Sequence, residues 1–235
     1  MGVSVSRGAV AAKAQARGVR LSWWKLLLLP LMLGSIAAGF LWAPRVGGLG
    51  DETYVMYFHV PMAWVGGLAY LVSAFYAIKY LARRRLADDT LSAASAELGL
   101  LFTFLATVTG ALWARSKWGA YWNWDPKQTS IFLLMLTYGA YFMLRSAVPD
   151  PDRRATLSAV YALLAAVAVP FLMLIIPRFV VVSALHPSPV VDREVNRKIG
   201  MVLMGSNLAF TVLYVWMLQL RARLQSVAIR KESVL

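Results

Sequence analysis

Apolar residues in this chain neither alternate nor recur as a single helical stripe; they run on in long blocks. Between the blocks lie short segments that collect Lys, Arg, Asp, Pro and Gly. A helix needs about 20 apolar residues to cross a hydrocarbon core about 30 Å thick. The blocks therefore predict six transmembrane helices, over residues 24–43, 53–81, 91–113, 126–144, 155–176 and 199–220. The fold class is all-α: a polytopic membrane protein built as a six-helix transmembrane bundle.

The breaks between blocks have local causes. Pro44 and the Gly47-Gly48 pair end the first helix. The second is longer than the bilayer requires and carries Pro61, which removes the hydrogen bond to the carbonyl of Tyr57 and predicts a kink. Arg83-Arg84-Arg85 closes it. A polar turn over 149–154 separates the fourth and fifth helices, and Pro177 ends the fifth. Residues 1–22 are basic and rich in Ala and Gly, with Arg7, Lys13, Arg17 and Arg20, and are expected to be a disordered cytoplasmic tail. The apolar run that follows exceeds the 7–15 residues of a signal-peptide core, so it reads as a retained helix. The membrane domain thus spans 23–220, with a loop over 113–130 and a basic cytoplasmic tail over 221–235.

Composition agrees: 60% of residues are hydrophobic and 15% charged, with a mean hydropathy of +0.61, outside the range of soluble domains. There is no cysteine, which excludes disulfides, thiolate metal sites and cysteine nucleophiles. The net charge of +13 comes from residues spread over the inter-helix segments, where it reports topology before any nucleic-acid contact. Of the 24 Lys and Arg, sixteen fall on one side of a six-helix layout and eight on the other. The positive-inside rule puts the sixteen, and both termini, in the cytoplasm.

The outer side collects the chemistry. Residues 118–130 read WGAYWNWDPKQTS, with Trp118, Trp122 and Trp124 beside Tyr121. Single interfacial tryptophans anchor ordinary helices; this density predicts a flat aromatic surface for a large planar ligand. The two histidines, His59 and His186, fall on the same side, the first in the early turns of the second helix and the second in the loop before the sixth. Two imidazoles from separate segments suit the axial positions of a haem. Arg115, Lys117, Lys127 and Arg178 are candidate partners for its propionates. The plainer alternatives are interhelical hydrogen bonds for the histidines and membrane anchoring for the tryptophans. Asp125 reads as an N-cap, with Pro126 at the first helical position and Gln128 placed to complete a capping box; direct ligand contact is its second reading. Ser188-Pro189 reads as a cap before the sixth helix. Glu97 is explained by snorkelling or by pairing with Lys79. Met56 and Met62 flank His59 at helical spacing and read as packing.

Trp118-Gly119, Trp122, Trp124-Asp125 and Thr129 resemble the WWD motif of the haem-handling membrane proteins of cytochrome c biogenesis. The six-helix length and His59-Val60-Pro61-x-Ala63-Trp64 resemble, within that superfamily, the cytochrome c maturation protein C family, also called haem exporter protein C. Pro126-Lys127-Gln128 is more similar to the cytochrome c synthetase and protein F branches, whose members are larger. The resemblance implies haem b held at the outer face of the bacterial cytoplasmic (inner) membrane, with His59 and His186 as axial iron ligands and the WWD segment as platform. It further implies hand-off to a periplasmic haem chaperone (maturation protein E), and a complex with the ABC transporter subunits (maturation proteins A and B) and the small membrane protein D. The chain would then be a binding and transfer module rather than an enzyme, the covalent chemistry residing in the chaperone and the haem vinyl. Alternatives are a haem permease subunit of an ABC-type complex and a b-type electron-transfer cytochrome.

Overall fold

The computed structural model describes residues 23–45, 53–176 and 193–232, with side-chain surroundings for all of these but 193–195 and 225–232. The expected disordered tail over 1–22, the Gly47-Gly48 turn, Pro177, Arg178, His186 and Ser188-Pro189 lie outside the described residues. The described chain is helical, and six of its helices are long and apolar enough to cross a membrane. They are α1 (Trp23–Trp42), α2 (Thr53–Arg83), α3 (Leu86–Trp118), α4 (Pro126–Ala147), α5 (Pro151–Ile175) and α6 (Arg193–Glu232).

Helix existence and order follow the apolar blocks; the ends differ where caps act. α3 begins five residues earlier than hydropathy predicts and ends five later. Asp88 and Asp89 lie in its first turn and Arg115 and Lys117 in its last, each sign matching the helix dipole. Gly119, at φ +76°, stops it with its N–H bonded to the Arg115 carbonyl. α5 starts inside the expected polar turn, because Asp150 caps it by accepting from the Arg153 N–H at 2.7 Å and Pro151 takes the first helical position. α6 continues to Glu232, past the expected end of the membrane segment. α2 runs through Pro61 as one uninterrupted helix, with the proline ring buried. α1 and α5 both finish in five-residue π-helical segments, Ala38–Trp42 and Phe171–Ile175, the second directly after Pro170.

Cross-helix contacts define two ends of an antiparallel bundle. At one end the start of α2 meets the end of α3, through His59 and Thr109. At the other, Tyr80 near the end of α2 donates to the Asp152 carbonyl at the start of α5, and Arg145 near the end of α4 pairs with Asp89 at the start of α3. α2 packs chiefly on α3 and also meets α5 and α6, while α1 lies on α6.

Two features bring the helices together. The first is small residues facing large ones. α5 presents Ala155, Ala159, Ala162, Ala165 and Val169 to a core that includes Tyr70, Tyr138 and Tyr141; small residues let helix backbones approach where lipid supplies no hydrophobic drive. The second is hydroxyl bonding. Ser95 Oγ donates to the Ala69 carbonyl at 2.6 Å and accepts from the Tyr214 hydroxyl at 2.7 Å, and Ser92 Oγ donates to the Ser73 carbonyl at 2.9 Å. Large apolar side chains such as Leu29, Phe75, Phe104, Leu164 and Leu208 point outward, as a lipid-facing surface requires.

The α2–α3 crossing is tight enough to test. A Cβ at Gly99 would lie 2.6 Å from Tyr70 Cδ1 and Cε1. Tyr70 cannot retreat, because its ring is stacked on Tyr138 at 3.5 Å between centroids. Gly99→Ala is expected to cost about 1–3 kcal/mol, the range for overpacking a close-packed site, read as earlier thermal unfolding in detergent. Wild-type unfolding would show that this crossing has slack.

Candidate functional site

The site is assembled where the start of α2, the end of α3 and the start of α4 meet. His59, in the second turn of α2, is half-buried and directed at α3. Its Nδ1 lies 3.2 Å from Thr109 Oγ1. The ring fits because α3 has a glycine at the contact: a Cβ on Gly110 would sit 2.9 Å from His59 Cε1, 3.4 Å from Nδ1 and 3.8 Å from Nε2. α1 braces this part of α2. Phe40, in its π-helical segment, packs on Tyr54 and Phe58 with ring centroids 4.8 and 6.0 Å apart, and Gly39 abuts Tyr57. Within the motif around His59, Pro61 turns inward while Val60 and Trp64 are exposed.

The tryptophan-rich loop is held by the first turn of α4. Asp125 is 5% exposed and accepts the Lys127 N–H at 2.8 Å, which confirms the N-cap and the start of α4 at Pro126. Gln128 does not close the expected capping box on Asp125. Its Oε1 accepts the Asn123 N–H at 2.8 Å, and its Nε2 donates to the Tyr121 carbonyl at 3.4 Å. Thr129 Oγ1 donates to the Trp124 carbonyl at 3.2 Å. Two side chains of the first helical turn, Gln128 and Thr129, therefore reach back into the loop, while Asp125 ties the loop's end to the helix. They hold Trp124 at φ +55°, a left-handed conformation that is unusual for a bulky residue and costs on the order of 1–3 kcal/mol. The gain is position: the Trp124 ring is 68% exposed.

The aromatic surface is not the flat shelf the sequence suggests. α3 ends at Trp118, so Trp118 and Trp122 do not share a helical face. Trp118 meets Trp113 edge-to-face at 5.1 Å, and Trp122 meets Trp124 and Phe132 edge-to-face at 5.8 and 6.1 Å. The rings lock one another at right angles, which is the preferred arrangement of aromatic quadrupoles. Trp124 and Tyr121 are the rings turned out, and Trp122 is the buttress behind Trp124.

The basic residues have separate placements. Arg115 donates through NH1 to the Gly119 carbonyl and lies 5.8 Å from the Tyr121 ring centroid, so it secures the end of α3 and one face of that tyrosine. Lys127 is exposed in the first turn of α4, at the same end of the bundle as His59. The structure thus gathers His59, Lys127 and the loop over 118–125 at one end of the bundle. Thr109, Gly110 and Phe132 belong to the same region and went unremarked in the sequence. The available signal was Gly110, a glycine kept inside a helix at a cost of about 1 kcal/mol relative to alanine. Glu97 is not paired with Lys79. It accepts from Arg221 Nε at 2.7 Å, and Lys79 instead lies 3.3 Å from Asp88.

As to what this end can hold, the described residues offer no group of three or more His, Cys, Asp or Glu able to seat a bare metal ion. One imidazole beside outward indole and phenol rings and an ammonium suits instead a metal that arrives in its own planar macrocycle.

Known proteins resemble this chain over most of its length. The family model for heme exporter protein C matches residues 7–234. Among curated relatives, heme exporter protein C of Bradyrhizobium diazoefficiens is 34% identical over 170 residues, covering 71% of this chain and 64% of that protein. Heme exporter protein C of Rhodobacter capsulatus is 28% identical over 227 residues, covering 94% and 92%. A putative cytochrome c biosynthesis ccmC-like mitochondrial protein of Marchantia polymorpha is 33% identical over 96 residues, 41% of this chain and 42% of that one. With a match from end to end of its helical bundle, the chain belongs to the heme exporter protein C family.

Proposed function

We propose that this chain binds haem b at the outer face of the bacterial inner membrane and presents it to a periplasmic haem chaperone during c-type cytochrome maturation. The observation that carries the reading is that His59, on the start of α2, packs on the end of α3, the same end of the membrane bundle from which the loop carrying the outward Trp124 and Tyr121 rings leads into α4. His59 and His186 would hold the iron, Trp124, buttressed by Trp122, would form the aromatic wall, and Lys127, Arg115 and Arg178 would supply positive charge for the propionates. Haem supplies the iron and a planar apolar face. The chain contributes binding, orientation and release. His186 is carried on a different segment from His59, which allows one ligand to leave while the other holds. The family name, heme exporter protein C, supports a part in haem export; an ABC transporter of maturation proteins A and B, with protein D, is the proposed neighbour and maturation protein E the acceptor.

The test is an absorption spectrum and a transfer assay on the purified full chain. The wild type is expected to show a Soret band and to load the chaperone. Replacing both Trp122 and Trp124 by alanine removes the outward ring, of a residue type that can bury about 150–250 Å², together with the ring that buttresses it, and is expected to lower haem retention at least tenfold with the fold intact. Normal retention and loading in that variant would remove the aromatic wall from the mechanism.

A further inference from the structure

We infer that Thr109 and Gly110 are positioning residues that make His59 an Nε2 ligand and set the plane of its ring; this rests on His59 being the haem ligand proposed above. Thr109 has one hydroxyl proton. Its Oγ1 lies 2.9 Å from the Leu105 carbonyl and 3.1 Å from the Ala106 carbonyl, both of which can only accept. Two acceptors on its own helix favour that direction for the proton, and what Oγ1 then turns to His59 is a lone pair. With the hydroxyl so turned, it is His59 Nδ1, 3.2 Å away, that brings the hydrogen. A neutral imidazole carries one N–H, so with Nδ1 as donor the lone pair resides on Nε2. A ligating histidine is commonly fixed this way, its second nitrogen donating to an oxygen that sets tautomer and orientation and raises its basicity.

Gly110 completes the device. A Cβ on Gly110 would lie 2.9 Å from Cε1, 3.4 Å from Nδ1 and 3.8 Å from Nε2, so Cε1 faces Gly110 and Nε2 is the ring nitrogen farther from it. One helix turn thus supplies both an acceptor for Nδ1–H and the clearance that lets the ring reach it. The reverse tautomer would place an N–H on the nitrogen that must meet the iron, and would require the Thr109 proton to leave its carbonyls.

The experiment compares haem-loaded full-length variants in detergent, reading haem affinity by titration, the low-spin absorption bands and the iron midpoint potential. Thr109→Val, nearly isosteric, is expected to weaken haem binding about 10–100-fold, the range for losing an outer-shell partner of a metal ligand. It should also raise the midpoint potential, because a less basic imidazole favours ferric iron less. Thr109→Ser restores the hydroxyl and is expected to restore both. Gly110→Ala keeps the hydroxyl but pushes the ring away, and is expected to weaken binding as well. His59→Ala is the control for the underlying reading. If His59→Ala alters the spectrum while Thr109→Val keeps wild-type affinity and potential, the positioning role is overturned and the ligand stands. If Thr109→Ser fails to restore what Thr109→Val loses, the effect is not the hydroxyl's and the inference is overturned. If Gly110→Ala binds haem as the wild type does, its part in seating the ring is overturned. An unchanged His59→Ala spectrum overturns the ligand and the positioning role together.

Discussion

His59→Ala is expected to abolish the six-coordinate low-spin spectrum of the haem-loaded chain and to weaken binding by more than the 10–100-fold that loss of an outer-shell partner costs. The residue does not hold the bundle together. It is half-buried near the start of α2, and its described hydrogen-bond partner is a threonine already bonded within its own helix. Alanine at this position leaves a pocket between α2 and Gly110 with the size of an imidazole. Added imidazole is therefore expected to return the low-spin bands in His59→Ala, with unfolding unchanged. His186→Ala should also shift the bands, because the proposed site takes one nitrogen from each histidine. Low-spin bands that persist in both single variants would end the axial-ligand reading.

What was legible in the sequence is what local chemistry decides. The start of α4 could be placed to the residue because Asp125-Pro126 is a cap written in consecutive positions, and the helix order followed from six apolar blocks. The end of α3 was less legible. Trp113 to Trp118 is amphipathic, so hydropathy falls before the hydrogen bonds stop, and Gly119 is the true stop signal. Pairings between helices depend on rotation and register, which composition does not carry. Lys79 and Glu97 were a plausible couple, yet each found a partner on another element or another turn, Asp88 and Arg221. The aromatic run is dense, as its composition implies, but not flat: Trp122 and Trp124 meet at a right angle, and Trp113 and Phe132 join the packing from neighbouring helices, which composition does not carry. Thr109 and Gly110 escaped for the same reason: a small polar pair in an apolar helix acquires meaning only from the imidazole opposite.

The opposite end of the bundle carries the largest expected effect on stability. Asp89, 8% exposed in the first turn of α3, accepts two hydrogen bonds from Arg145, NH1 to Oδ1 at 2.7 Å and NH2 to Oδ2 at 2.9 Å. This forked geometry joins α3 to α4, and the guanidinium also lies 5.8 Å from the Tyr141 ring centroid. Asp89→Ala strands a buried guanidinium whose fork matched a carboxylate, at a cost of about 3–5 kcal/mol. Against a total stability of about 5–15 kcal/mol typical of folded domains, that is enough to deplete the folded protein. The expected result is poor accumulation in the membrane and much earlier unfolding in detergent. The double variant Asp89→Leu with Arg145→Met removes both charges and replaces them by apolar groups, a change that is often neutral or stabilising for a buried pair. It should recover most of the loss. Because this pair is at the end of the bundle remote from His59, the folded fraction of Asp89→Ala should bind haem with the wild-type spectrum. A single variant that unfolds with the wild type would mean that water or lipid headgroups reach Arg145 and that the pair is no interior clamp. A spectrum altered in step with stability would mean that the two ends of the bundle are coupled through the tyrosine core.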